Sequence, residues 1–486
     1  MKQANYNKRS VFTGFLWRFF ERVGAQGVKL LVEIILARIL LPDDYGIIAL
    51  VTVFITILNV FVDSGLGNAL IQKKDADNVD FSSVFWFNIV WCLILYVILY
   101  FTAPLISQFY AKSDITKVLR VLGLQVFISG VKNVQQAYVY RTMQFRKFFF
   151  STLGGTIGAA FVGIWMAYHG YGVWALVGQQ LFNMLVDTLI LWITVKWRLQ
   201  FVFSFQRFKE LFSYGWKLLA SALIDTTYTE IRQLVIGKIY TASDLAYYNR
   251  GQQFPHLFIM NVNSAIDSVL LPTMSREQDD SDRVKALTRR SIQVSTYIMA
   301  PLMMGLAFVG EPFIRLLLTE KWIPCVPYMR IFCITFMFYP IHTANLNAIK
   351  AMGRSDLFLK LEIIKKTVGI IALVATMNIS VMAMAYSLLV TSVLSQIINS
   401  WPNRRLLDYR YLDQLKDILP SILLAVFMGV CIYFVSYLGL RDVVTLLIQI
   451  ILGIGIYFCG SILLKLESFG YILELIKSLL NRKKTV

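Results

Sequence analysis

The sequence predicts an all-α polytopic membrane protein of about 14 transmembrane helices, with two parallel-repeat six-helix lobes around a central cavity and two further C-terminal helices. Three observations predict it. Of the 486 residues, 57% are hydrophobic and only 16% charged, with a mean hydropathy of +0.61, whereas a soluble domain carries about 25% charged residues. Apolar stretches long enough to span recur along the chain, with Lys and Arg gathered in every second connection. A charged stripe on the opening helix returns about 199 residues later on another apolar helix.

Taken in order, the spans lie near 11–40, 45–70, 81–107, 115–138, 146–168, 172–195, 209–238, 244–273, 286–310, 325–349, 357–377, 381–401, 415–438 and 442–464. Lys2, Lys8 and Arg9 ahead of the first run imitate a signal peptide. Arg18, Glu21 and Arg22 interrupt the apolar stretch such a peptide needs, so no cleavage is expected. The termini and even-numbered connections hold about 29 Lys and Arg, the odd ones about seven. That asymmetry predicts both termini in the cytoplasm and an even number of crossings. The net charge of +18 is thus a property of inner loops, and nucleic acid is not an expected partner. After the last span, Tyr471, Ile472, Leu475, Ile476 and Leu479 recur at helical spacing before Arg482, Lys483 and Lys484, which predicts an amphipathic helix on the inner leaflet.

The opening helix carries Arg18, Arg22, Gln26, Lys29 and Glu33 within an arc of about 80°. An ionised group at mid-bilayer costs roughly 2.5–3.5 kcal/mol on the gentlest scale, so this face must look onto protein or a wet cavity. The seventh span repeats the pattern with Lys217, Ser221, Asp225, Tyr228 and Arg232. Other landmarks recur in the same order. Leu41-Pro42-Asp43-Asp44-Tyr45-Gly46 pairs with Thr241-Ala242-Ser243-Asp244-Leu245-Ala246, Asp63-Ser64 with Asp267-Ser268, and Tyr140-Arg141-Thr142-Met143 with Ile349-Lys350-Ala351-Met352. Six spans per copy give both copies the same direction through the membrane. The expected organisation is an N-terminal lobe over 1–200, a C-terminal lobe over 201–405, an extra helix pair over 406–465 and a cytoplasmic tail over 466–486. Two equivalent stripes then face each other across the cavity.

The five cysteines, Cys92, Cys325, Cys333, Cys431 and Cys459, sit in apolar segments without ligand-like spacing and read as small core residues; no metal is expected. No nucleotide-binding loop occurs, and no catalytic residues are assigned.

Ile35-Leu36-Ala37-Arg38-Ile39-Leu40-Leu41-Pro42-Asp43-Asp44-Tyr45-Gly46, then Asp63-Ser64-Gly65-Leu66 and Ala69-Leu70-Ile71-Gln72, resemble the polysaccharide transporter family. This is the branch of Wzx- and WzxC-like lipopolysaccharide and exopolysaccharide exporters within the multidrug/oligosaccharidyl-lipid/polysaccharide (MOP) flippase superfamily. The resemblance covers spans one to twelve; the last two match in hydropathy and number. It implies a non-enzymatic flippase of the bacterial cytoplasmic membrane that moves undecaprenyl-pyrophosphate-linked oligosaccharide to the outer leaflet by alternating access. The cargo would be the lipid-linked oligosaccharide, the other partners membrane lipids and polysaccharide-assembly proteins, and the chain a monomer without cofactor. The coupling ion, H+ or Na+, stays open.

The ten stripe residues and Arg250 are the candidate cavity residues, with Tyr247 and Tyr248 as sugar contacts. Asp63, His256 and Asp267 are candidates for coupling or gating. Each has a plainer reading: Lys29 and Glu33 are helix-spaced partners, Asp63 and Asp267 sit where carboxylates cap helices, and His256 reads more simply as a hydrogen-bonded structural histidine. A lipid II exporter or another member of the superfamily is an alternative cargo assignment. A membrane polysaccharide polymerase or glycosyltransferase is the alternative of another class, and its reactive groups would come from the outer stretch with Glu311, Glu320 and Lys321.

Overall fold

The computed structural model describes residues 8–63 and 65–482, and every regular element among them is helical. In chain order these are α1 (Lys8–Ile39), α2 (Pro42–Asp63), α3 (Leu66–Gln72), α4 (Asn78–Tyr110), α5 (Asp114–Leu122), α6 (Leu124–Thr142), α7 (Arg146–Tyr168), α8 (Val173–Thr194), α9 (Phe205–Ile239) and α10 (Ala242–Arg276). There follow α11 (Ser281–Phe308), α12 (Gly310–Leu318), α13 (Val326–Met337), α14 (Tyr339–Ala351), α15 (Ser355–Thr376), α16 (Val381–Ser400), α17 (Asn403–Leu406), α18 (Tyr411–Phe434), α19 (Asp442–Leu463) and α20 (Glu467–Arg482).

Among the described residues ten helical stretches are both long and apolar enough to cross a membrane. The other four expected spans correspond to α1, α6, α9 and α15, and each carries a polar face. Lys29 and Glu33 interrupt α1, Lys132 and Asn133 α6, Lys217, Asp225 and Arg232 α9, and Lys360, Glu362, Lys365 and Lys366 α15. Three expected spans are broken: the second at Gly65, the fourth at Gly123 and the tenth at Phe338. Pro301 lies within α11, whereas Pro312, Pro327 and Pro340 fall in the first turns of α12, α13 and α14. A missing N–H costs little there.

The chain packs as two compact units, Met1–Ala246 and Tyr247–Val486. In the first, α7 lies along α8 through the small face Gly155, Ala159 and Gly163, and α1 packs on α7, with Trp17 edge-on to Phe149 at 5.2 Å. An aromatic and aliphatic cluster of Phe81, Phe85, Leu191 and Trp197 joins α4 and α8 to the chain leading into α9. In the second unit α11 is central and packs against α18, α13 and α14. The extra helix pair is fastened to α11 by polar contacts: Tyr297 and Ser461 hydroxyls lie 2.8 Å apart, and the Tyr457 hydroxyl donates to the Tyr297 carbonyl at 2.9 Å.

The internal repeat is visible in backbone chemistry. At the α1–α2 corner the Leu41 N–H donates to Asp44 Oδ2 at 3.1 Å, and at the α9–α10 corner the Thr241 N–H donates to Asp244 Oδ2 at 3.2 Å. α6 ends with Met143 N–H on the Tyr140 carbonyl and Gln144 N–H on that of Val139. α14 ends with Gly353 N–H on Lys350 and Arg354 N–H on Ile349. Met143 (φ 54°) and Gly353 (φ 72°) take the left-handed conformation at these two ends.

Cys92, Cys325 and Cys333 are buried as small apolar residues. Cys431 is half-buried and Cys459 exposed, a correction to the reading of all five as core, since the apolar surface of a membrane helix is legible in composition but its direction is not.

Candidate functional site

α1 uses Val32, Leu36 and Ala37 for packing, and its polar positions turn elsewhere. Gln26 is exposed, Lys29 is 70% exposed and Glu33 half-buried, with Lys29 Nζ 3.8 Å from Glu33 Oε1. The side chains of Arg18, Arg22 and Asp63 lie outside the described residues. On α9, Leu211, Gly215, Ile236 and Gly237 are buried, while Lys217, Ser221 and Asp225 are exposed and Tyr228 and Arg232 half-buried. On both helices, then, the described stripe positions are those that packing within the first unit leaves wholly or partly uncovered. Lys29 and Lys217 are thus exposed cations on otherwise apolar helices, the solvation cost that had to be explained.

α9 is held against α2, running the opposite way, from about Gly215 to its C-terminal end. Near one end, a Cβ added to Gly215 would come 2.9 Å from the Gly65 carbonyl carbon; near the other, a Cβ on Gly46 would come 1.9 Å from the Ala242 carbonyl oxygen. Only glycine permits either approach. The Gly65 end carries a charge cluster that lies outside both stripes. Arg207 pairs with Asp77 and approaches Asp80 Oδ2 at 3.7 Å, and Lys73 Nζ lies 2.9 Å from Asp80 Oδ1 and 3.5 Å from Glu210 Oε2. Asp80 is fully buried and also accepts the Asp77 N–H at 3.0 Å, closing a capping box on α4. Burial alone would raise the Asp77 carboxyl; the Arg207 hydrogen bond and the N–H groups of Asp80 and Val79 outweigh it and hold the group below the usual carboxylate range. Burial likewise would lower the Lys73 ammonium, but Asp80 and Glu210 raise it. Arg141 completes the cluster by donating to the carbonyls of Leu70, Lys73 and Lys74. The result is a latch between the start of α9 and the α3–α4 connection.

In the second unit Arg250 is buried, donates to Gln253 Oε1 and lies over the Trp322 ring at 4.9 Å. Tyr247 meets Trp322 edge-on, and Tyr248 meets Phe332. His256 is exposed, its ring 6.0 Å from that of Phe336, and Asp267 accepts from Asn347 Nδ2 at 2.7 Å. Glu311 and Glu320, the acids between α11 and α13, pair with Arg315 at 2.9 and 3.9 Å.

Residues 35–327 match the family model described as Polysaccharide biosynthesis protein. The chain belongs to this family. Among its relatives, the Succinoglycan biosynthesis transport protein ExoT of Rhizobium meliloti is 27% identical over 65% of this chain and 64% of its own, so that match spans just under two thirds of the relative. The Teichuronic acid biosynthesis protein TuaB of Bacillus subtilis is 24% identical, over 78% of this chain and 79% of its own. The Lipopolysaccharide biosynthesis protein WzxC of Escherichia coli is 23% identical, over 81% and 80%. Among solved structures, the lipid II flippase MurJ in an inward closed conformation superimposes with a TM-score of 0.74 at 16% identity, covering 93% of this chain and 99% of that one. An inward-facing multidrug resistance MATE transporter of the MOP superfamily gives 0.61 at 15%, covering 78% and 94%. The polysaccharide biosynthesis family member described here is therefore a multi-pass membrane protein with the all-helical fold of these transporters.

Sequence reasoning about this family member missed two polar clusters inside its helix bundles. Lys132 of α6 pairs with Asp187 of α8, both largely buried, and Asp187 Oδ1 is left without a hydrogen-bond partner. In the second unit Asn345, Gln414 and Asn403 exchange amide hydrogen bonds at 2.7–3.0 Å, while His342 Nδ1 lies 3.0 Å from Asn399 Nδ2. One or two polar residues on each of several helices leave no periodic signal in a sequence.

Proposed function

We propose that this chain is a flippase that carries undecaprenyl-pyrophosphate-linked oligosaccharide repeat units from the inner to the outer leaflet of the bacterial cytoplasmic membrane. The observation that carries the reading is the pair of polar stripes at equivalent places on α1 and α9, exposed at Gln26, Lys29, Lys217, Ser221 and Asp225, in a member of a polysaccharide biosynthesis family. Arg18, Arg22, Lys29 and Glu33 sum to a net +2, and Lys217, Asp225 and Arg232 to +1, which suits a diphosphate. Gln26, Ser221 and Tyr228 add groups that hydrogen-bond sugar hydroxyls, while the polyprenyl tail stays in lipid. The repeat lobes 1–200 and 201–405 alternate access to the two leaflets, with both termini cytoplasmic, and the chain acts as a monomer without a cofactor. Breaking the latch at Arg207 frees the inner end of α9 for that movement. A coupling ion, H+ or Na+, acts through Asp63, His256 or Asp267. Catalysis at the outer stretch has less support, because Glu311 and Glu320 are already paired with Arg315.

Deleting the gene should leave lipid-linked oligosaccharide on the inner leaflet, scored by its inaccessibility to an externally added glycosidase. Arg22→Gln/Arg232→Gln should reproduce that accumulation with normal membrane levels of protein. Full export by the double variant would remove the cavity assignment. Loss of linkage itself on deletion would point to an enzyme.

A further inference from the structure

The second unit contains a cavity of about 420 Å³ between the first half of α11 and the start of α20. Three cations line it: Lys285, Arg289 and Arg290. Arg289 is committed, its guanidinium gripping Asp417 through Nε at 3.0 Å and Nη2 at 2.7 Å. The others are not held this way. Lys285 Nζ is 3.9 Å from Asp408, at the limit of an ion pair, and the Arg290 guanidinium carbon lies over the Tyr471 ring, 3.3 Å from its centroid. A cation–π contact uses the face of a guanidinium and none of its N–H donors, which a phosphate can then engage in two places. Asp282 from α11 and Glu467 from α20 supply acceptors, which suit hydroxyl groups and repel a bare anion.

A row at four-residue spacing leads away from the cavity. Arg290 and Val294 line it, and Ile298 and Leu302, 41% and 39% exposed, continue along α11. A phosphate held at Arg290 by a soluble molecule would make no use of that apolar track, whereas acyl chains would lie along it. α20 itself is an amphipathic helix of the kind that rests at a membrane surface.

We propose that this cavity binds the headgroup of an anionic phospholipid, specifically a phosphoglycerol headgroup. Lys285 and Arg290 hold the phosphodiester, Asp282 and Glu467 accept from the glycerol hydroxyls, and the acyl chains follow Ile298 and Leu302. The site is separate from the α1 and α9 stripes and requires only that α20 lie at the membrane surface. It would make the second unit sensitive to the anionic lipid content of that leaflet.

The test uses the full chain, delipidated in neutral detergent, with melting followed by tryptophan fluorescence and bound lipid by native mass spectrometry. Phosphatidylglycerol should be retained and should raise Tm, with phosphatidylethanolamine and free glycerol phosphate far weaker. Lys285→Gln/Arg290→Gln should weaken phosphatidylglycerol binding roughly thirtyfold, taking about a 1 kcal/mol contribution from each cation. Arg404→Gln, which removes an exposed cation elsewhere, should not. Should the double variant fail to fold, Tyr471→Ala, which removes the stacking partner and no charge, should show the same selective loss. Phosphatidylethanolamine bound as tightly as phosphatidylglycerol, glycerol phosphate sufficing alone, or unchanged binding in the variants would each overturn the proposal.

Discussion

Lys132 and Asp187 show what a single pair of side chains can impose on a membrane helix. Each would be expensive in an apolar bundle by itself, and together they are tolerable because the charges cancel at hydrogen-bond distance. The cost of removing one is therefore larger than the cost of removing both. We expect Lys132→Met or Asp187→Leu alone to lose about 3–5 kcal/mol of stability, seen as a marked fall in Tm in detergent. Lys132→Met/Asp187→Leu should recover most of it; a double variant no better than either single would show that the pair does not couple. Asp80 is a second residue of this kind, fully buried with Lys73 beside it and Arg207 at 3.7 Å. Asp80→Ala should lower Tm more than Glu210→Ala, whose carboxylate is 58% exposed and screened by solvent. None of these residues was legible as functional from the sequence, because an isolated Lys or Asp has no period, and Lys132 and Arg207 find their partners 55 and more than 120 residues away.

Among the elements, α2 and α9 matter most, since their contact holds one stripe-bearing helix in place. Its two tight points are glycines, so Gly46→Val and Gly215→Val should push the helices apart while leaving the charges intact. The expected readout is increased protease cleavage of the α8–α9 connection, 195–204, and unchanged cleavage would mean that the close approach is dispensable. The latch at the Gly65 end has a calculable pH range. The Asp77 carboxyl is depressed on folding, so its contribution is full above the ordinary value of 3.8 and is lost as pH falls through the lowered value. The Lys73 ammonium is raised, so its contribution is full below 10.5 and is lost only as pH rises through a higher value. An Arg207–Asp77 double-mutant cycle should thus give the same coupling at about pH 5 and about pH 9, and a smaller one below the carboxylate range. A coupling that changed near pH 7 would implicate a group outside the latch. Here the sequence was more informative: the stripes on α1 and α9 and the matching corners at Asp44 and Asp244 follow from spacing alone, because helical periodicity and cap chemistry are local.

For the whole molecule, the extra helix pair has the clearest consequence. α18 packs along α11, and Tyr457 and Ser461 of α19 hydrogen-bond with Tyr297, so the last helices form part of the second unit rather than an appendage. Ending the chain at residue 405 would uncover that face of α11. We expect such a truncation to aggregate in size-exclusion chromatography, and one ending at residue 466, which removes only α20, to elute as the intact protein does. A well-behaved shorter truncation would show that the lobes are complete without the pair.

Composition, loop charge and period determined on their own that the chain is a helical membrane protein, that it is built as a repeat and which faces of α1 and α9 are polar. These properties depend on neighbours in sequence or on averages over it. Tertiary structure alone decided that α9 packs on α2 through facing glycines, that Arg207 is latched to Asp77, that Lys132 finds Asp187, that Arg250 is buried under Trp322 and that Arg290 stacks over Tyr471. Each of those depends on residues brought together from distant segments, and the free energy that selects them, burial and pairing in a medium that tolerates no lone charge, exists only once the helices have packed.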